Sequence, residues 1–276
     1  MIKEFLIHKI SDFGEKEFEK SDVLAIEEPL EIAVKSGITG EVSSVSVTMR
    51  TPENDAELAI GFLFTEGVIF SKNNLKEPAF SQVEDNKITI NFSTDFNPDL
   101  QKLKRNFYTT SSCGVCGKES IEAIKQVCRI PILKPTEPIK FSVLFSLSEK
   151  LRNLQKTFQT TGGIHASALF DLDGNLLDLR EDVGRHNALD KLIGAELLKS
   201  SGENFSLQNR IVFFSGRASF ELIQKCAMAG VSIICAIGAP SSLAVETAKN
   251  FGITLIGFLK NGNANIYCGS DNIDLK

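Results

Sequence analysis

The 276-residue chain has no tryptophan, two tyrosines, three histidines and no excess of positive charge. Its 30 lysines and arginines against 35 aspartates and glutamates leave a net charge of −5. That balance gives no electrostatic footprint for nucleic acid or another polyanion. No apolar run approaches the ~20 residues of a membrane span. The opening stretch MIKEFLIHKISDF is broken by Lys3, Glu4 and Lys9, so it does not read as a secretion signal. Six cysteines without framework-like spacing fit a reducing cytoplasm. One close cysteine pair, with histidines far from it at 8, 165 and 186, does not give the two pairs or short-spaced histidines of a structural zinc site.

What is present is an ordinary globular composition, 42% hydrophobic and 24% charged, long enough for one large domain or two modest ones. The alternation in SSVSVTMR (43–50) and KITINF (87–92) predicts half-buried strands. Pro52 to Glu66 predicts a helix capped by Asn54 or Asp55. Another helix is expected from near Lys118, with Ile121, Ile124 and Cys128 on one face. Prolines 131, 135 and 138 end it and mark the expected boundary between a strand-rich N-terminal α+β domain (1–138) and a second domain (139–276).

The second half begins with a helical stretch from Ser142 to Phe158 and a strand at 164–170. An Asp173-Gly174 turn leads to a returning strand at 175–179. Helices from His186, Ser219 and Ser242 then alternate with apolar strands at 210–215, 231–237 and 253–259. This pattern predicts an α/β fold with a mixed sheet covered on both faces, the three-layer order of cytidine-deaminase-like domains. Deaminase chemistry itself is not expected. His165-Ala166-Ser167 has serine where the H-x-E signature needs glutamate, and the cysteine pair precedes the histidine. Cys128, Cys226 and Cys235 lie in apolar-periodic segments and read as small buried hydrophobes, while Cys268 stays unassigned.

Ligands of open α/β sheets bind beyond the carboxyl ends of the parallel strands. Three turns are expected there: Ser215-Gly216-Arg217, Ala239-Pro240-Ser241-Ser242 and Lys260-Asn261-Gly262-Asn263. Gly216 lets backbone approach a ligand, and Arg217 can grip phosphate with two donors. Each turn alone could serve only to cap a helix; together they resemble a nucleotide or phosphate pocket. Glu181 to Asn187 (EDVGRHN) is a denser polar cluster. It could be structural, with Asn187 capping a helix and Asp182 paired to Arg185, or it could hold a heterocycle or phosphate.

The stretch SSCGVCGK (111–118) holds the close pair, Cys113 and Cys116. Gly114 and Gly117 loosen the backbone around the thiols, and Lys118 with a following helix N-terminus favours thiolate. A thioredoxin-type dithiol would instead open a helix directly after a core strand.

SSCGVCGK, TGGIHASALF, EDVGRHNALDKLIG, SGRASFELIQK and APSSLAVETA, in that order, resemble the formate dehydrogenase accessory sulfurtransferase (FdhD) family. The resemblance implies a cytoplasmic sulfur carrier that takes persulfide sulfur from a cysteine desulfurase. It would pass that sulfur to the molybdenum cofactor, bis-molybdopterin guanine dinucleotide, before insertion into the formate dehydrogenase catalytic subunit. By residue, Cys113 would carry the persulfide with Cys116 as its partner. Phe258, Leu259, Lys260, Asn261, Gly262 and Asn263 would bind the cofactor, alongside Gly216 and Arg217. No resident metal is implied, and homodimerisation is left open. Two other readings remain: a dithiol oxidoreductase using the cysteine pair, and a non-catalytic guanine-nucleotide-binding maturation scaffold.

Overall fold

The computed structural model describes residues 1–14, 16–98, 128–201 and 205–275. The cysteine pair, Lys118 and the helix expected after it lie outside the described residues. The alternating segments of the first half become a four-stranded sheet of β3 (Glu28–Lys35), β4 (Val42–Arg50), β5 (Leu75–Glu84) and β6 (Lys87–Phe92), ordered β4-β3-β6-β5. Helix α1 (Asp55–Thr65) follows β4, and Asn54 is its N-cap in left-handed conformation, with no side-chain cap bond. A separate ribbon of β1 (Ile2–Ser11) and β2 (Lys16–Ala25) precedes this sheet; of these six strands only β4 and β6 are individually expected from the sequence.

The second half contains α2 (Phe141–Leu154), α3 (Lys156–Thr161), β8 (His165–Phe170), β9 (Leu176–Asp182) and α4 (Arg185–Lys199). It continues with β10 (Ile211–Phe214), α5 (Phe220–Met228), β11 (Ile233–Ala236), α6 (Ser242–Phe251), β12 (Thr254–Lys260) and β13 (Asn263–Cys268). A short parallel pair, β7 (Ile139–Lys140) with β14 (Ile273–Asp274), ties the start of this half to its end. The main sheet has the order β13-β12-β11-β10-β8-β9. Strands β10, β11 and β12 are mutually parallel, whereas β8, β9 and β13 join by antiparallel pairing.

Side chains alternate across this sheet as period two requires. Val212, Phe214, Ile234, Ala236 and Leu255 enter one apolar layer with Leu192 of α4, Leu222 of α5 and Ala248 of α6. Ile211, Phe213, Ile233, Cys235 and Ile256 enter the other with Leu144, Leu147 and Leu151 of α2. The first layer continues through Leu58 and Leu63 of α1 into Leu30, Ile32, Ile88 and Ile90 of the four-stranded sheet. Helices α1 and α4 meet at two glycines. A Cβ on Gly61 would lie 1.8 Å from the Asp190 carbonyl oxygen, and one on Gly194 would lie 1.9 Å from that of Glu57. Among the described residues, no helix is long and apolar enough to cross a membrane.

Two local expectations change. The helix expected over 142–158 breaks at Gln155, because α3 restarts on a new cap. The Thr157 and Phe158 amides donate to the two Glu181 carboxylate oxygens at 3.1 Å each. The Asp173-Gly174 turn widens into a loop over 171–175, whose Asp171 carboxylate accepts from the Asn175 amide and side chain at 2.8 and 2.9 Å.

Candidate functional site

Because β8 runs antiparallel to both β9 and β10, its start shares one sheet edge with the ends of β9, β10, β11 and β12. The three sequence-predicted turns all lie on that edge. Backbone bonds lace them into one floor. The Gly238 amide donates to the Gly216 carbonyl at 2.9 Å, and the Ala218 amide to that of Ala239 at 3.2 Å. The Ser241 amide donates to the Ala218 carbonyl at 3.0 Å, and the Phe258 amide to that of Gly238 at 3.2 Å.

Within the first turn, Ser215 Oγ accepts from the Ala166 amide at 2.8 Å, so its hydroxyl secures the strand end. Gly216 faces His165: an added Cβ would stand 3.2 Å from His165 Nδ1. Arg217 is exposed, and nothing among the described residues accepts from its guanidinium. In the second turn, Ser241 is the N-cap of α6, accepting from the Ala244 amide at 3.2 Å. The third turn is a hairpin rather than a chain end, since β13 returns beside β12. Asn261 and Gly262 take φ of 51° and 73°, the two left-handed positions that such a turn demands. Phe258, Lys260, Asn261, Gly262 and Asn263 are exposed around it, whereas the Leu259 side chain is buried in the layer with α2.

The Glu181–Asn187 segment divides between structure and edge. Asp182 pairs with Lys191, not Arg185: Lys191 Nζ stands 2.7 Å from Asp182 Oδ2 and donates to the Thr51 carbonyl at 2.7 Å. Asp182 also accepts from the Thr51 and Gly184 amides at 3.1 and 2.8 Å. Asn187 is not the cap, a position Gly184 takes; its side-chain amide donates to the Met49 carbonyl at 2.7 Å instead. A second buried group joins Asp190, Lys225, Thr65 and Glu66, with Lys225 Nζ at 3.0 Å from Asp190 and 2.8 Å from Thr65 Oγ1. Burial pushes the Asp190 carboxyl up, while Lys225 is raised because the Asp190 and Glu66 carboxylates outweigh its own desolvation. Sequence reasoning missed Thr51, Asp190, Lys191 and Lys225. The available signal was an ion on the apolar face of an amphipathic helix, in ALDKLIG and LIQKCAM.

Arg185, His186 and His165 are half-buried at the edge above these ions. His186 Nε2 is 3.4 Å from Ser219 Oγ and 3.9 Å from Glu221. His165 is held below its ordinary range, first by burial and then by the charges of Arg185 and His186.

Cys113 and Cys116, the expected sulfur-carrying pair, lie outside the described residues. The described cysteines are all free thiols. Burial pushes Cys226 and Cys235 far up, Cys128 up to about 11, and Cys268 upward as well. None of the four has the depressed thiol that nucleophilic sulfur chemistry needs.

The chain is similar along nearly its whole length to proteins of one kind. The "Sulfur carrier protein FdhD" of Streptomyces coelicolor is 42% identical over 271 residues, covering 93% of this chain and 91% of that protein. The protein of the same name from Saccharolobus solfataricus is 40% identical over 272 residues, covering 99% and 98%. A crystal structure described as a candidate formate dehydrogenase accessory protein, from Desulfotalea psychrophila, superposes with a TM-score of 0.73 at 25% identity. That match covers 99% of this chain and 98% of the other. The FdhD/NarQ family model matches residues 25–274, from the end of the N-terminal ribbon to β14, and the chain belongs to the FdhD/NarQ family.

Proposed function

We propose that this chain is a cytoplasmic sulfur carrier for formate dehydrogenase maturation, with Cys113 as the carrying thiol and Cys116 assisting. The observation that carries the reading is the naming of relatives at 40–43% identity, over more than nine-tenths of the chain, as sulfur carrier proteins. The thiol chemistry supports it. With Cys128, Cys226, Cys235 and Cys268 all raised by burial, the glycine-flanked pair is left as the seat of a reactive thiolate.

In this reading the Cys113 thiolate attacks the outer sulfur of a desulfurase persulfide. A new S–S bond forms, the donor's S–S bond breaks, and the donor cysteine leaves as thiolate, so no external oxidant or reductant is consumed. The acceptor, and so the substrate of the second transfer, is the molybdenum cofactor in its guanine dinucleotide form. The exposed residues Phe258, Lys260, Asn261, Gly262 and Asn263 suit its nucleotide end, with the Leu259 backbone between them and Gly216 and Arg217 on the neighbouring turn. The strand order of the main sheet, a hairpin beside three parallel strands, supports the cytidine-deaminase-like reading of this half.

The test is peptide mass analysis after incubation with a cysteine desulfurase and cysteine. One reductant-labile sulfur atom is expected on the peptide containing Cys113. It should be lost in Cys113→Ala and retained in Cys128→Ala. Equal labelling of the Cys113→Ala protein overturns the assignment.

A further inference from the structure

The edge above the buried ions gathers one guanidinium and two imidazoles within charge range of one another. Arg185 opens the 15-residue helix α4, yet among the described residues nothing accepts from its guanidinium. The obvious partner, Asp182, is turned inward and saturated by Lys191 and two backbone amides. Beside it stand His186 and, at the Cα partner position of Asp182, His165. Gly216 packs on the His165 ring so closely that a Cβ would come within 3.2 Å of Nδ1. The backbone N–H groups of Gly216 and Arg217 likewise donate to nothing among the described residues. Consecutive amides with no acceptor among the described residues, beside a guanidinium and imidazoles, make up the donor set of an anion site. One carboxylate, Glu221, stands at the rim 3.9 Å from His186, whose hydrogen bond holds the Glu221 carboxyl down at about 2, so an incoming oxyanion shares His186 with it.

We propose that Arg185, His165 and His186, with the Gly216 and Arg217 amides, bind a phosphoryl oxyanion of a nucleotide ligand. This deepens the proposed function and rests on its reading of the sheet edge as a nucleotide site. The cluster sits at β8 and β10, while the hairpin turn that would take the nucleoside is at β12. Two strand spacings, roughly 10 Å, separate β10 from β12. A nucleoside at the hairpin would extend its phosphates toward Arg185. Gly216 is then required for space: any side chain there would push the His165 ring toward the ligand.

Calorimetry on the full chain with pyrophosphate, GDP and guanosine separates the two claims. Arg185→Gln removes a charge that orphans no partner among the described residues, and urea unfolding of the variant verifies that its stability is unchanged. Pyrophosphate and GDP should each bind the wild type and lose roughly tenfold or more in affinity in Arg185→Gln and further in Arg185→Gln/His186→Gln. Guanosine affinity should not move. If pyrophosphate fails to bind, or binds both variants as well as the wild type, the oxyanion site is overturned. If GDP then still binds, the nucleotide reading of the edge survives that loss. Variant-sensitive pyrophosphate binding without any GDP binding supports the oxyanion site and overturns the nucleotide reading.

Discussion

Lys191 is 1% exposed, with its ammonium 2.7 Å from a carboxylate that is itself fully buried. Two such ions are tolerable in a core only as a pair with their remaining valences satisfied, and here Thr51, Gly184 and the Asn187 side-chain amide supply the rest. Lys191→Met leaves the Asp182 carboxylate buried with amide donors alone, and should cost about 3–5 kcal/mol in urea unfolding. The double variant Asp182→Asn/Lys191→Met should recover much of that, since no unpaired charge remains. Equal losses in the single and double variants would mean that lost packing, not the orphaned charge, sets the cost. Along the chain Arg185 lies three residues beyond Asp182, and that proximity makes it the expected partner. In space Lys191 wins, since the α4 face that carries it is packed against the Thr51 backbone and Arg185 is left at the edge.

At the scale of elements, the α1–α4 crossing depends on two glycines within helices, where glycine costs about 1 kcal/mol of helix propensity relative to alanine. The close approach explains why glycine stands at both positions. Gly61→Ala would place a methyl carbon 1.8 Å from the Asp190 carbonyl oxygen, and the helices would have to separate. Thermal unfolding should show a loss of about 1–3 kcal/mol despite the better helix former. Gly163→Ala serves as control, because its nearest atom would be 3.9 Å away; a similar loss there would remove the crossing as the cause. Long periodic elements are readable from the sequence: KITINF is β6 to the residue, and the SLAVETAKNF helix is α6. The break at Gln155 is not readable, because the cap that restarts α3 is Glu181, which lies 24 residues beyond Thr157 and is adjacent only once β9 is in place.

For the whole molecule, the apolar layer that begins under α5 and α6 continues through α4 and α1 into the four-stranded sheet. Ion groups cross the same seam, Asp182 to Thr51 and Lys225 to Thr65. A core shared in this way should unfold as one unit. In urea, the buried thiols of Cys226 and Cys235 should become reactive to a thiol reagent along the same curve as the loss of far-ultraviolet circular dichroism. Labelling of either thiol at clearly lower urea would separate the halves into independent units. This seam also positions the candidate site. It fixes the start of α4, and with it Arg185 and His186, against the start of β8 and the end of β10.

Periodicity and turn chemistry alone were enough for the order of the long strands and helices of the second half, though not for the break at Gln155 or for β7, β13 and β14. Apolar strands separated by amphipathic helices can bury both sheet faces in few ways, and Gly216, Arg217 and Lys260–Asn263 necessarily fall at strand ends. The cysteine pair and the family blocks were equally legible, because reactive motifs are local strings. Partner choice was not. Which cation answers Asp182, why Gly61 and Gly194 cannot carry a side chain, and which donors are left free at the edge depend on contacts between residues far apart in the chain. Such contacts exist only after both halves have packed. Burial then sets their energetics: a carboxylate removed from water takes the cation that the packing brings within 3 Å, and Arg185, with no acceptor among the described residues, stays at the edge.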